Sequence, residues 1–297
     1  MLTILIGRAK TGKSDTMLRR MAELGESSQQ ILLVPEHASH QAEVDVCRAC
    51  GDTASRHAEV LSFRRLGERV LSITGGIADV TLDNGGKLLT LQRALLETAP
   101  QMTVYRKPSQ KVGFLEQMLA LFDELRSYEV TPEILYQQAQ DIDGATHDKL
   151  TDLSLLYAAY EARLRRPGLD ARDRMTKLCE ALESSRYAFG KDVFVDGFTY
   201  FNAQERQVLE SILRQARSVT VTLLGEPDSA EEMFQVSLRT RDQLTRLADQ
   251  AGCPWEVRTL TSADDSALGY LEHHFFGEHT GCNRGNIYIL SNANSVK

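Results

Sequence analysis

The chain contains no run of about 18 apolar residues, so nothing in it reads as a membrane span. The apolar start at Leu2, Ile4, Leu5 and Ile6 is too short for a secretory signal. Its five cysteines are odd in number and unevenly spaced, which argues against a disulfide framework and for a reducing compartment. The expectation is a cytoplasmic protein without membrane contact. A basic excess is also lacking: the net charge of −7 excludes a general electrostatic footprint for nucleic acid, so any DNA contact is local. Candidates are Arg64, Arg65 and Arg69 after Val60-Leu61-Ser62-Phe63, and Arg163, Arg165 and Arg166 beside Pro167. A solvated helix face is the commoner meaning of such clusters. Cys47 and Cys50 stand at C-x-x-C spacing near His37 and His40, but no second C-x-x-C exists to complete four zinc ligands. Cysteines closing a helix before Gly51 explain the pair better.

What is present begins with length: 297 residues, 42% of them hydrophobic, suffice for a large core and for more than one folding unit. Directly after the apolar start, Gly7-Arg8-Ala9-Lys10-Thr11-Gly12-Lys13-Ser14 is a complete G-x-x-x-x-G-K-[ST] phosphate-binding loop. Average residue frequencies give about 0.01 chance occurrences in a chain of this length. The pattern works only between a buried strand and a helix, and Met17, Leu18 and Met21 continue an apolar stripe at helical spacing. Gly7 and Gly12 allow backbone conformations and close approach that a side chain blocks, so that amide N–H groups and the helix start face phosphate oxygens. Lys13 is expected on the β- and γ-phosphates of ATP and the Ser14 hydroxyl on Mg²⁺.

The run Ile31 to Val34, ended by Pro35, reads as a second strand, followed by a helix carrying Ala38, Ala42, Val44 and Val46. A third strand over His57 to Leu61 leads to a helix over Phe63 to Leu71. Strands alternating with helices imply an α/β fold with a parallel sheet. From Asn84 to Tyr187 strand-like runs vanish, and Leu88 to Leu96, Phe114 to Leu125, Pro132 to Gln140 and Leu150 to Leu164 have helical spacing. The expected organisation is therefore a first sheet segment over 1–83, a helical insertion over 84–187, and a second sheet segment over 188–297. That last segment resumes with a strand over Asp192 to Asp196, a helix over Ala203 to Gln215 and a strand over Ser218 to Leu224, and Asn286 to Leu290 reads as another strand.

Asp196, at the C-terminal end of a buried strand in a chain with a phosphate loop, is where a Walker B carboxylate holds Mg²⁺ through water. Asp-Gly is also common turn chemistry, and both readings stand at this point. Helicase-type motors place a glutamate after that aspartate to polarise water, whereas this chain has Gly197. Loss of a general base costs about 10²–10⁴-fold in rate. Glu205 on the next helix is the available substitute. A small-molecule or nucleoside kinase also begins with a phosphate loop, but the insertion of roughly 100 residues is longer than such folds carry between strands.

Several segments together resemble the N-terminal part of the AddB family, which forms one half of the bacterial AddAB ATP-dependent helicase/deoxyribonucleases. They are Gly7 to Ser14, Leu33-Val34-Pro35-Glu36-His37 with Glu43, Val60 to Leu66, Lys149 to Leu153 with Tyr157, Tyr160 and Glu161, and Phe194-Val195-Asp196-Gly197-Phe198-Thr199. The resemblance implies a RecA-like P-loop NTPase sheet, the superfamily 1 helicase-like domain 1A, interrupted by a helical subdomain, 1B. It implies ATP and Mg²⁺ at Lys13 and Ser14 and Asp196 as a degenerate Walker B position; Arg64 and Arg65 lie in a segment that matches the family and stand as the DNA-contact candidates. It further implies a heterodimer with an AddA-type helicase/nuclease subunit, contact with double- and single-stranded DNA, and work in double-strand break processing and recombination. Family chains continue into a second RecA-like domain and a nuclease domain with an iron–sulfur cluster. The present chain is thus expected to be a monomeric N-terminal fragment that hydrolyses ATP weakly or not at all and does not cut DNA by itself. The alternative is a non-catalytic module for DNA recognition and subunit assembly that keeps its phosphate loop as a relic.

Overall fold

The computed structural model describes residues 1–75, 82–106, 112–164, 174–226 and 232–261. The segments Arg165 to Pro167 and Asn286 to Lys297 lie outside the described residues. The chain runs β1 (Leu2–Gly7), α1 (Lys13–Leu24), β2 (Gln30–Leu33), α2 (Ser39–Cys50), β3 (Ala58–Leu61) and α3 (Phe63–Thr74). A helical stretch follows, with α4 (Asn84–Thr98), α5 (Val112–Ser127), α6 (Pro132–Gln140), α7 (Ala145–Leu164) and α8 (Arg174–Ser185). The sheet then resumes with β4 (Asp192–Val195), α9 (Ala203–Gln215), β5 (Ser218–Leu224), α10 (Gln235–Gln250) and β6 (Trp255–Thr259).

All six of these strands are parallel, in the order β3-β2-β4-β5-β1-β6, which gives an α/β fold of RecA-like type. Parallel strands covered on both faces read as continuous apolar runs, and the alternation within those runs assigns the faces. Ile4, Ile6, Leu33, Val193, Val195, Val221 and Leu223 join the core beneath α3, α8, α9 and α10. Leu32, Val34, Val60 and Phe194 pack on the opposite face with Met17 and Met21 of α1 and Val46 of α2. Among the described residues, no helix is long and apolar enough to cross a membrane.

The helices α4, α5 and α7 enclose a separate core in which Phe122 stacks on Tyr157 at 4.7 Å and on Tyr160 at 5.9 Å. The same core is pinned by a buried carboxylate. Asp152 accepts the backbone N–H groups of Thr103, Val104 and Tyr105 at 3.0, 2.8 and 2.9 Å, fixing the turn after α4 against α7. One helix within the range 84–187 belongs elsewhere: α8 places Leu178 and Leu182 in the sheet's core, where they join Leu66 and Val70 of α3. None of α8, α10 and β6 stands out in the sequence. β6 is half exposed and polar, and its strand character comes from pairing with β1 along Leu2 to Ile6.

Glu205 lies in the first turn of α9. Asn202 accepts the Glu205 N–H while the Glu205 carboxylate accepts the Asn202 N–H, both at 2.9 Å, a reciprocal capping box. Burial pushes the Glu205 carboxyl above its ordinary value, against the opposing Asn202 hydrogen bond and the Arg206 charge. A raised folded-state value means that this group's contribution to stability is full below the unfolded value, about 4.3, and is lost as pH rises through the folded one. Glu205→Gln keeps the cap and removes the buried charge, so thermal melts are expected to show a more stable variant at neutral pH and no difference at about pH 4. A gap independent of pH would rule out burial as its cause. Asp152→Ala removes the shared acceptor of three partly buried backbone N–H groups and is expected to lower stability by about 2 kcal/mol in urea titrations, with faster amide exchange at Thr103 to Tyr105.

Candidate nucleotide site

The phosphate loop hangs from the C-terminal end of β1. The Gly7 carbonyl accepts the Gly225 N–H at 3.0 Å, and the Ile6 carbonyl accepts the Leu260 N–H at 2.8 Å, so the loop leaves the sheet already held on both sides. A Cβ on Gly7 would lie 2.4 Å from the Leu260 carbonyl oxygen and 2.5 Å from Thr11 Oγ1. Only glycine fits. The loop then turns through two left-handed residues, Lys10 at φ 59° and Gly12 at φ 77°, and Ala9 and Lys10 face outward. Thr11 Oγ1 donates to the Arg8 carbonyl at 2.9 Å and closes the turn.

Gly12 is the N-cap of α1 and offers no side-chain acceptor to the first-turn amides. Those N–H groups and the helix dipole make this terminus suited to an anion. Lys13 Nζ donates to the Gly7 carbonyl at 2.8 Å and the Arg8 carbonyl at 2.6 Å, which holds the cation within the loop. Ser14 stands exposed in the first turn of α1. Arg8 points away from this group of atoms: its buried guanidinium pairs with Glu226 at 2.7 Å and lies 5.0 Å from the centre of the Phe234 ring.

Asp196 comes directly after β4, its N–H bonded to the Leu33 carbonyl at 3.0 Å. Val195 is level with Val221 of β5, which makes Asp196 level with Thr222, and Thr222 is in turn level with Leu5 of β1. The Thr222 hydroxyl donates to Asp196 Oδ1. Since Phe194 packs on the α1 face, Asp196, two residues on, faces that side as well. One strand, β5, therefore separates the carboxylate strand from the loop strand, a lateral step of about 10 Å at ordinary strand spacing. The oxygen donors Ser14 and Asp196 suit a hard cation such as Mg²⁺, and the glycine-lined loop with an uncapped helix start suits a polyphosphate.

Gly197 adopts φ 81°, and a Cβ there would lie 3.3 Å from Pro35 Cδ. A side chain, and with it a base directly after Asp196, is disfavoured by the backbone. Glu205, the substitute considered from the sequence, commits its carboxylate to the α9 cap.

Arg64 and Arg65 are drawn into ion pairs. Arg64 meets Glu36 and, at 2.7 Å, Glu68; Arg65 meets Glu43 at 2.7 Å. Hydrogen bonds from Arg64 and then Ser62 hold the Glu36 carboxyl below the usual carboxylate range. The Pro-Glu-His and Ser-Phe-Arg-Arg-Leu segments thus meet as one network at the ends of β2 and β3. Cys47 and Cys50 close α2 as free cysteines. Two features escape a reading of the sequence: the Thr222 contact, foreshadowed only by threonines alternating with valines in β5, and a cleft of about 510 Å³ lined by His37, Tyr128, Gly197, Phe198, Tyr200 and Glu205.

Residues 4–272 match the family described as ADDB, N-terminal. The chain is 31% identical over 263 residues to the B-subunit of the ATP-dependent helicase/deoxyribonuclease of Clostridioides difficile, covering 84% of this chain and 23% of that protein. It is 33% identical over 298 residues to the protein of the same name from Desulforudis audaxviator, covering 94% and 26%. The corresponding protein of Desulforamulus reducens is 34% identical over 297 residues, covering 93% and 26%. The chain spans about a quarter of the length of these curated relatives. With the match running through the phosphate loop, the helices between β3 and β4 and the Asp196 strand, the chain belongs to the family described as ADDB, N-terminal.

Proposed function

We propose that this chain is the helicase-like, ATP-binding N-terminal region of the AddB-type component of an AddAB helicase/nuclease, acting in the processing of double-strand break ends for recombinational repair. The observation that carries the reading is the pairing of a sterically restricted phosphate loop with a carboxylate on the same face of the sheet, with one strand, β5, between them. In this reading the domain organisation is a sheet built from 1–83 and 188–297 with an inserted helical subdomain. Its partner is an AddA-type subunit, and its substrate as part of that complex is DNA.

The residues present define what the site does. Amides of the loop and of the α1 start bind the polyphosphate, Lys13 supplies charge-assisted hydrogen bonds, and Ser14 and Asp196 hold Mg²⁺, which neutralises phosphate charge. The positive φ of Gly197 and the engaged carboxylate of Glu205 leave the attacking water without an evident base among the described residues, so in this reading the region binds ATP and turns it over weakly or not at all by itself.

A non-catalytic DNA-recognition role has its own support in the cleft between the end of α5 and the segment after β4, where Tyr128 and Tyr200 are about half exposed beside Phe198. Aromatic faces of this kind stack on unpaired bases. Arg64 and Arg65, neutralised by carboxylates, carry less of that reading than the aromatic residues do.

Equilibrium binding of a fluorescent ATP analogue with Mg²⁺ tests the first reading: Lys13→Ala is expected to weaken affinity about 10- to 100-fold, for a loss of about 1.5–3 kcal/mol. No saturable binding by the native chain would put the recognition module first. For that reading, Tyr200→Ala is expected to weaken binding of a single-stranded oligonucleotide about 10-fold while leaving analogue binding unchanged.

A further inference from the structure

β5 touches both halves of the nucleotide site, and one of its residues does so without serving the core. Val219, Val221 and Leu223 fill the face beneath α9 and α10, whereas the alternation turns Thr220 and Thr222 toward α1. Thr222 is 4% exposed. A hydroxyl buried in an apolar strand is retained where it is hydrogen-bonded, and this one donates to Asp196 Oδ1. Asp196 lies one residue beyond the β4 ladder, its N–H on the Leu33 carbonyl, and the residue after it is a glycine in the left-handed region, so the Thr222 hydroxyl adds a tether at the side chain itself.

We propose that Thr222 is a positioning residue that sets the orientation of the Asp196 carboxylate for magnesium. With Oδ1 engaged by the hydroxyl, the carboxylate plane is fixed and Oδ2 is the oxygen left for the metal or its bound water. The threonine also sits level with Leu5, so the strand that orients the carboxylate is hydrogen-bonded to the strand that launches the phosphate loop. The proposal rests on the reading of the site as one for Mg²⁺ and ATP.

The test is a magnesium titration of fluorescent ATP-analogue binding to the native chain, Thr222→Val, Thr222→Ala, Thr222→Ser and Asp196→Asn, with affinity in EDTA and a thermal melt for each. Valine keeps the shape and removes the donor; alanine is the second donor-free variant should valine disturb folding. The donor-free variants are expected to raise the magnesium concentration for half-maximal binding about 10-fold, the scale on which outer hydrogen-bond partners tune metal affinity. Affinity in EDTA is expected to stay at the native value, serine to restore the native magnesium midpoint, and Asp196→Asn to abolish the magnesium response. A folded Thr222→Val with the native midpoint, or an equal loss of affinity in EDTA, overturns the proposal while leaving the nucleotide reading intact. If the native chain itself binds no analogue, the nucleotide reading fails and the positioning role falls with it.

Discussion

The pairing of β5 with both β1 and β4 is the constraint on which the site depends. A parallel strand delivers its neighbours' C-terminal ends to one edge of the sheet, and β5 fixes their lateral separation and their level. Its last residues and those just after it touch each part in turn: Thr222 reaches Asp196, Gly225 bonds Gly7, and Glu226 holds Arg8. Without that strand the loop and the carboxylate would be separate local structures. With it, they share a face.

The helical segment follows a different logic. Its apolar stripes close on one another through Phe122, Tyr157 and Tyr160, and a single carboxylate, Asp152, replaces a cap for the turn after α4. The family-like segment around Asp152 is therefore explained by backbone satisfaction, not by chemistry on a substrate. The same holds for Glu36, Ser62, Arg64, Glu43 and Arg65, whose mutual bonds tie the ends of β2 and β3 and leave little uncompensated charge. Motifs that recur in a sequence family need not all face the ligand.

The tether on Asp196 and the constraint on the residue after it arise from neighbouring atoms. The backbone that lets Asp196 meet Thr222 continues through Gly197 at positive φ against Pro35, a conformation that favours glycine and so disfavours a glutamate. The nearest acidic side chain along α9 serves as its cap.

Much of the architecture follows from the sequence. Leu2 to Gly7, Pro132 to Gln140, Ala203 to Gln215 and Ser218 to Leu224 have hydrophobic periods and terminators strong enough to define their ends, and the phosphate loop is legible because glycine spacing and lysine chemistry are local properties of consecutive residues. What the tertiary structure alone decided is which residues meet: that Thr222 and Asp196 are level, that Arg8 is committed to Glu226, that Glu205 caps a helix, that α8 joins the sheet's core, and that polar β6 becomes a strand beside β1. Most of these contacts join residues far apart in the chain, and their partners are set by strand order and register, quantities that no local run of side chains encodes.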